Sequence, residues 1–267
     1  MPLNVPGILV PLHLLINPRL VVPSVVVRDI RQLDFQALYR AGYRGAVFDK
    51  DNCLTVPHED RLVPELTEAW KECRETFGPG NVLIVSNTAG SHMDVGEIEA
   101  ESVTYHLSAP VLRHPSLKPS YSCINSIRAY FASLPRPIRD EELIIVGDRL
   151  LTDIVMANRM TRRRPVSDSE KAASEEKRLE SDLGLSRPDR VGPLAVLTEG
   201  LWKREALALR ALEKGMLKSV ERWVLSPHEV AWRERMQHRF VKPMHVEEEV
   251  LKVRDGWLRR LWDRLRK

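Results

Sequence analysis

Four short apolar runs, GAVFD (45–49), NVLIVSN (81–87), APVLRH (109–114) and ELIIVGD (142–148), alternate with stretches of helical pattern. Such runs are too uniformly apolar to expose one face to water. They predict parallel strands covered on both faces by helices, an α/β fold. Helices are expected over 30–42, 63–77, 92–104, 123–134 and 152–160, with Gly42 as a C-terminal cap and Gly78-Pro79-Gly80 as a break. PLAVLTEGLW (193–202) is the expected fifth strand. Parallel strands deliver their carboxyl ends to one rim, where open α/β sheets bind ligands.

The residues at that rim share one chemistry. Asp49 and Asp51 follow the first strand, Ser86 and Asn87 the second, and Asp148 and Asp153 the fourth, with Lys118 in between. Carboxylates gathered at one spot are costly unless a cation or a proton joins them. A set of hard oxygen ligands without His or Cys selects Mg²⁺. Together these groups suit hydrolysis of a phosphate monoester. The cation and Lys118 screen an anionic substrate, and the Ser86 hydroxyl orients its oxygens. One aspartate attacks phosphorus, and the other handles the proton of the leaving alkoxide and of the attacking water.

In order, AVFDKD, VLIVS, Lys118 and GDRLLTD resemble the four motifs of the haloacid dehalogenase superfamily of phosphatases over about residues 44–160. The resemblance implies a Rossmann-like sheet with Asp49 as nucleophile and Asp51 as acid/base. It implies Asp49, the Asp51 carbonyl and Asp148 as Mg²⁺ ligands. Ser86, Asn87 and Lys118 would hold the phosphate, and Asp153 would support the metal shell or Lys118. Many relatives carry Thr where Cys53 stands. Cys53 reads either as a redox-sensitive thiol near the metal or, preferably, as a small buried residue.

Residues 52–85 and 87–117 are too few to hold the inserted cap domains that enclose small substrates in that superfamily, so an open site suited to a bulky substrate is expected. FDKDNCLTVPHED, VLIVSNTAGS, PVLRHPSLKP, IVGDRLLTDIVMAN and LHLLINPRLVVPS are closely similar to the phosphatidylglycerophosphate phosphatases of fungal and plant mitochondria. That resemblance implies conversion of phosphatidylglycerophosphate to phosphatidylglycerol in cardiolipin synthesis, Mg²⁺ dependence, and a peripheral place on the matrix side of the inner membrane. Arg113, His114 and Arg149 stand beside the motifs and are candidate contacts to the substrate.

The remainder of the chain of 267 residues divides by composition. Residues 1–28 form an apolar arm broken by prolines, which either packs on the domain or lies on a membrane surface. It lacks the basic start of a secretory signal. The phosphatase domain is placed at 29–202, with a flexible, charge-dense insertion at 162–190 that has no aromatic residue. Residues 203–267 are expected to form a basic helical extension. Its tail, GWLRRLWDRLRK, sets Trp and Leu on one helical face and Arg on the other. That face fits an anionic membrane, its own domain or a sister subunit equally well in kind. Three cysteines without a CxxC make a disulfide framework or zinc site unexpected. A net charge of +4 permits an anionic partner. The absence of interleaved aromatic and basic residues near the motifs argues against nucleic acid. A homo-oligomer is expected from the lidless site and the C-terminal helices. The competing readings are a capless phosphatase for another phosphomonoester, and an inactive scaffold of the same fold.

Overall fold

A computed structural model of the chain describes residues 10–163, 190–200, 202–203 and 207–242. Strands Val25–Val27 (β1), Gly45–Phe48 (β2), Val82–Ile84 (β3), Leu143–Gly147 (β4) and Leu194–Thr198 (β7) form one sheet in the order β1-β7-β4-β2-β3. Every pairing in it is parallel. Every residue of β2, β3, β4 and β7 is buried, as strands covered on both faces require. Alternation splits their side chains between two cores. Ala46 and Phe48 face helices Phe35–Arg40 (α2), Thr67–Phe77 (α3) and Ile98–Leu107 (α4). Val47 faces Tyr121–Ala132 (α5) and Val155–Met160 (α6). On the first face the Trp70 ring stands edge-on to Phe48 at 5.2 Å, and its indole N–H donates to the Leu107 carbonyl, so a large aromatic is buried with its polar atom satisfied.

Three expectations are corrected by the structure. Residues 30–42 do not form one helix. Asp29 and Asp34 accept from the backbone N–H groups of Arg31 and Ala37, so each starts its own turn: a 3-10 turn at Ile30–Gln32, then α2. Residues 109–114 make two hydrogen bonds with Ile84 and a further bridge from His114 to Ser91, but no continuous strand. Pro110 lacks a donor, and Pro115 ends the segment. The helix expected at 92–104 starts only at Ile98, because Gly96 and Glu97 both take positive φ.

The N-terminal arm does not end at residue 28 as a separate body. Its last residues are β1, the edge strand against β7. The amide of Gln237, on helix Pro227–Phe240, accepts from the Val26 N–H and donates to the Val26 carbonyl, which satisfies that exposed edge. Trp232, Met236 and Phe240 of the same helix join the core of the sheet. The boundary expected at 202/203 therefore separates segments that share one core. Helix Val10–Ile16 (α1) packs Val10 and Leu14 against Leu20, Val21 and Val155, and Met216 and Val220 of helix Leu207–Trp223 close over them. In chain order these last two helices are α7 (Leu207–Trp223) and α8 (Pro227–Phe240). Short antiparallel strands Arg162–Arg163 (β5) and Arg190–Val191 (β6) bracket the charged insertion, of which 164–189 lie outside the described residues. The amphipathic tail at 256–267 lies outside them too.

Candidate active site

Parallel register places the ends of β2 and β4 side by side, with Phe48 opposite Val146, so Asp49 and Asp148 leave the sheet together. After β4 the chain makes a π-type turn at Leu150–Ile154 that swings Asp153 back under the rim. One carboxylate oxygen from each of Asp49, Asp148 and Asp153 lies within 4.8 Å of the others. Gly147 makes room for this: a Cβ there would stand 2.4 Å from the Asp153 carboxyl carbon.

Lys118 compensates the cluster. Its ammonium donates to Asp49 at 2.6 Å and to Asp153 at 2.7 Å, and its side chain is 2% exposed. Burial opposes its charge, but Asp153 and Asp49 outweigh burial and raise its pKa. Asn87 fixes the segment that carries Lys118, accepting from its backbone N–H at 2.6 Å. Asp148 is pushed up to about 8 by burial and by the charges of Asp49 and Asp153. Asp153 is raised as well, because burial outweighs its ion pair with Lys118.

Asp51 stands apart from the three carboxylates. It accepts from the His58 N–H at 3.0 Å and lies 3.2 Å from the Lys50 ammonium. A carboxylate held off the cluster of three is placed as an acid/base separate from the nucleophile would be. Both Asp49 and Asp51 line an open cleft of about 270 Å³, together with Asn87, Lys118, Asp148 and Arg149.

Other expected site residues do not reach the cleft. Ser86 is fully buried and its hydroxyl pairs with the Thr88 hydroxyl at 3.0 Å. Arg113 pairs with Glu97 at the surface. His114 lies behind the site with its ring nitrogens 2.7 Å and 2.9 Å from the carbonyls of Ser116 and Ser86, and burial holds its pKa down. Closeness in sequence to the motifs misled for Arg113 and His114, because the 109–114 segment turns their side chains away from the rim. Cys53 is buried, and burial together with the nearby aspartates keeps its thiol protonated, so it is a packing residue.

Two residues in contact with the site escaped the sequence. Lys50, between the paired aspartates, is fully buried and meets Asp51 at 3.2 Å and Glu99 at 2.9 Å. Glu99 in turn accepts from Thr88 at 2.7 Å, so one chain of polar contacts runs from Asp51 to Ser86. Arg210, far along the chain on α7, lines the cleft and clamps both the carboxylate and, at 3.1 Å, the carbonyl of Asp148. No local motif marks either residue; a lysine beside two aspartates reads as solvated, and Arg210 lies in an ordinary basic helix.

The donor set fits a divalent cation. It is all carboxylate oxygen, two of its members are buried, and the cluster holds three acids against the one ammonium of Lys118 and the one guanidinium of Arg210.

The model of the family described as mitochondrial PGP phosphatase matches residues 5–164. The mitochondrial phosphatidylglycerophosphatase of Saccharomyces cerevisiae is 39% identical over 158 residues, 59% of this chain and 83% of that protein. A chloroplastic phosphatidylglycerophosphate phosphatase of Chlamydomonas reinhardtii is 42% identical over 144 residues, covering 54% of this chain and 51% of its own length. A chloroplastic/mitochondrial phosphatidylglycerophosphate phosphatase of Arabidopsis thaliana is 35% identical over 159 residues, 59% of this chain and 44% of its own length. The chain thus spans most of the yeast relative and about half of the algal and plant ones. No solved structure matches the chain significantly.

Proposed function

The chain belongs to the mitochondrial PGP phosphatase family, and from that premise we propose that it is a phosphoric monoester hydrolase that releases the terminal phosphate of phosphatidylglycerophosphate. The observation that carries the reading is the arrangement of Asp49, Asp148 and Asp153 around the Lys118 ammonium, at the rim of a cleft open enough for a lipid head group.

Asp49 attacks phosphorus in line and becomes an aspartyl-phosphate. Lys118 holds Asp49 in the attacking orientation and withdraws charge from the transferred group. Asp51 gives its proton to the leaving glycerol oxygen, then takes one from the water that splits the intermediate. Lys50 keeps the Asp51 carboxylate in place for both steps. Ser86 holds the turn after β3 through Thr88, accepting from its backbone N–H and pairing with its hydroxyl. Bound by Asp49, Asp148 and the Asp51 carbonyl, Mg²⁺ would neutralise the phosphoryl oxygens.

Family membership leads us to infer a peripheral lipid enzyme of mitochondria, on the matrix side of the inner membrane. No described helix is long and apolar enough to cross a membrane. Leu12, Leu15 and Ile16 form an exposed apolar face on α1. Exposed Leu209 and Leu212 on α7 are the described residues that favour a homo-oligomer.

The substrate test compares phosphate release with Mg²⁺ from phosphatidylglycerophosphate in mixed micelles and from p-nitrophenyl phosphate. The lipid is expected to be preferred in kcat/KM. Preference for the soluble ester would point to another monoester, and release from neither would leave the inactive scaffold.

Metal removal has its own expected outcome. Asp148 titrates near 8 in the folded chain, well above an ordinary carboxylate, so its protonated form is favoured by folding. That contribution is complete below the unfolded pKa and is lost as pH rises through about 8. The Tm of the chain in EDTA should therefore fall from pH 5 to pH 8.5, and Mg²⁺ should reverse the fall at the alkaline end. Asp148→Asn should flatten the trend. A Tm in EDTA that rises over that range would show that Asp148 is charged without a metal.

A further inference from the structure

We propose that α7 completes the substrate site, and that Arg149 and Arg210 form a subsite for the second phosphate of the substrate, its phosphodiester. This deepens the lipid reading above and rests on it. Phosphatidylglycerophosphate carries two phosphates separated by a glycerol. The monoester is consumed at Asp49, and the diester is not, so the diester is available for recognition.

The geometry is a reciprocal clamp. Asp148 and Arg149 are neighbours at the end of β4. Arg210 and Glu213 stand three residues apart on α7, on one helical face. Arg210 pairs with Asp148, and Glu213 lies 3.6 Å from Arg149. Glu213 is 3% exposed, and burial raises its pKa while Arg149 and Arg210 oppose the rise. Arg149 Nε and Glu213 Oε1 are both buried without a hydrogen-bond partner, so this pair holds the side chain by charge rather than by a closed bond. The remainder of Arg149 is open, its side chain being 30% exposed, and it lines the cleft with Arg210. Met216, Leu217 and Val220 anchor α7 on the domain, which sets where Arg210 stands.

Charge assigns the ligand. Asp49, Asp51 and Asp148 line the cleft together with Lys118, Arg149 and Arg210, three acids and three bases. A divalent cation on the acids turns the balance positive, as a substrate with two phosphates needs. Lys118 sits between Asp49 and Asp153, beside the attacking carboxylate, whereas Arg149 and Arg210 line the cleft next to Asp148. Guanidinium forks suit a phosphodiester, which offers two equivalent oxygens. Sequence from α7 onward lies beyond the matched segment 5–164, so this wall is a contribution of the C-terminal region.

The test compares Arg149→Gln, Arg210→Gln and Arg210→Lys on three Mg²⁺-loaded assays: phosphatidylglycerophosphate in micelles, its deacylated form glycerophosphoglycerophosphate, and p-nitrophenyl phosphate. Loss of a charged hydrogen bond predicts KM up about 10-fold or more for both two-phosphate esters, with the KM for p-nitrophenyl phosphate within roughly twofold. Arg210→Gln should also lower kcat on all three esters by one common factor, because Asp148 loses its clamp. Arg210→Lys should recover part of the KM. Glycerophosphoglycerol, which has only the diester, should inhibit the unaltered chain more strongly than either Gln variant. Equal KM changes on all three esters, or a kcat loss alone, would reduce Arg210 to a residue that positions Asp148 and overturn the subsite. An unaltered chain that prefers p-nitrophenyl phosphate would instead overturn the substrate reading itself, and the subsite with it.

Discussion

Asp49→Asn should abolish phosphate release, with kcat down at least about 10⁴-fold, while the chain stays folded. The amide is a poor nucleophile, so no covalent intermediate forms. The fold tolerates it because the Asn oxygen still accepts from the Lys118 ammonium and from the Lys50 N–H, as Asp49 Oδ1 does at 2.6 Å and 2.8 Å. Neutralising Asp49 also relieves its repulsion of Asp148 and Asp153, two buried carboxylates whose pKa values it raises. Rapid-quench labelling should trap a phosphorylated chain in the unaltered protein and none in the variant. Residual turnover above one percent would move the nucleophile elsewhere, with Asp51 the nearest carboxylate in sequence.

Lys118→Met should cost stability as well as activity. The substitution keeps most of the length of the side chain and removes the one buried ammonium that bridges Asp49 and Asp153. Breaking a buried ion pair by removing one partner costs about 3–5 kcal/mol, because the other charge stays behind. Urea unfolding in EDTA should show that loss. A second substitution, Asp153→Asn, should return part of it, since the orphaned charge is then gone. Activity should not return with stability, because Lys118 also holds the nucleophile. Unchanged urea stability in Lys118→Met would mean that Arg210, not Lys118, compensates the cluster.

Much of the sheet and most of the site were legible before the structure. Uniformly apolar runs of the right length identify β2, β3, β4 and β7. The site followed because Asp49, Lys118 and Asp148 lie at strand ends or in a motif whose order is preserved. Misreadings arose where local chemistry competed with the pattern. Asp29 and Asp34 cap separate turns, so the apolar period over 30–42 is not one helix. Ser86 was expected to touch phosphate; in the structure its hydroxyl pairs with Thr88, which Glu99 holds from behind, a contact that no local pattern announces. Val25–Val27, placed in the arm, became an edge strand because Gln237 supplies the hydrogen bonds that an edge needs. Nothing within 25–27 signals a partner two hundred residues away.

The sequence by itself determined which carboxylates and which lysine the strand ends would gather, because AVFDKD, Lys118 and GDRLLTD stand in order at the ends of apolar runs. It also determined that no cap is inserted at 52–85, which hold only a loop, a 3-10 turn and α3 before β3. Tertiary structure alone decided which charges neutralise which. Lys50 is buried against Asp51 and Glu99, and Arg210 reaches Asp148 from α7. The reason is physical: strand and helix periods are local and can be read along the chain, whereas an ion pair depends on distance in space. The pairing of Asp148 with Arg210 exists only once α7 has packed on α1 and α6.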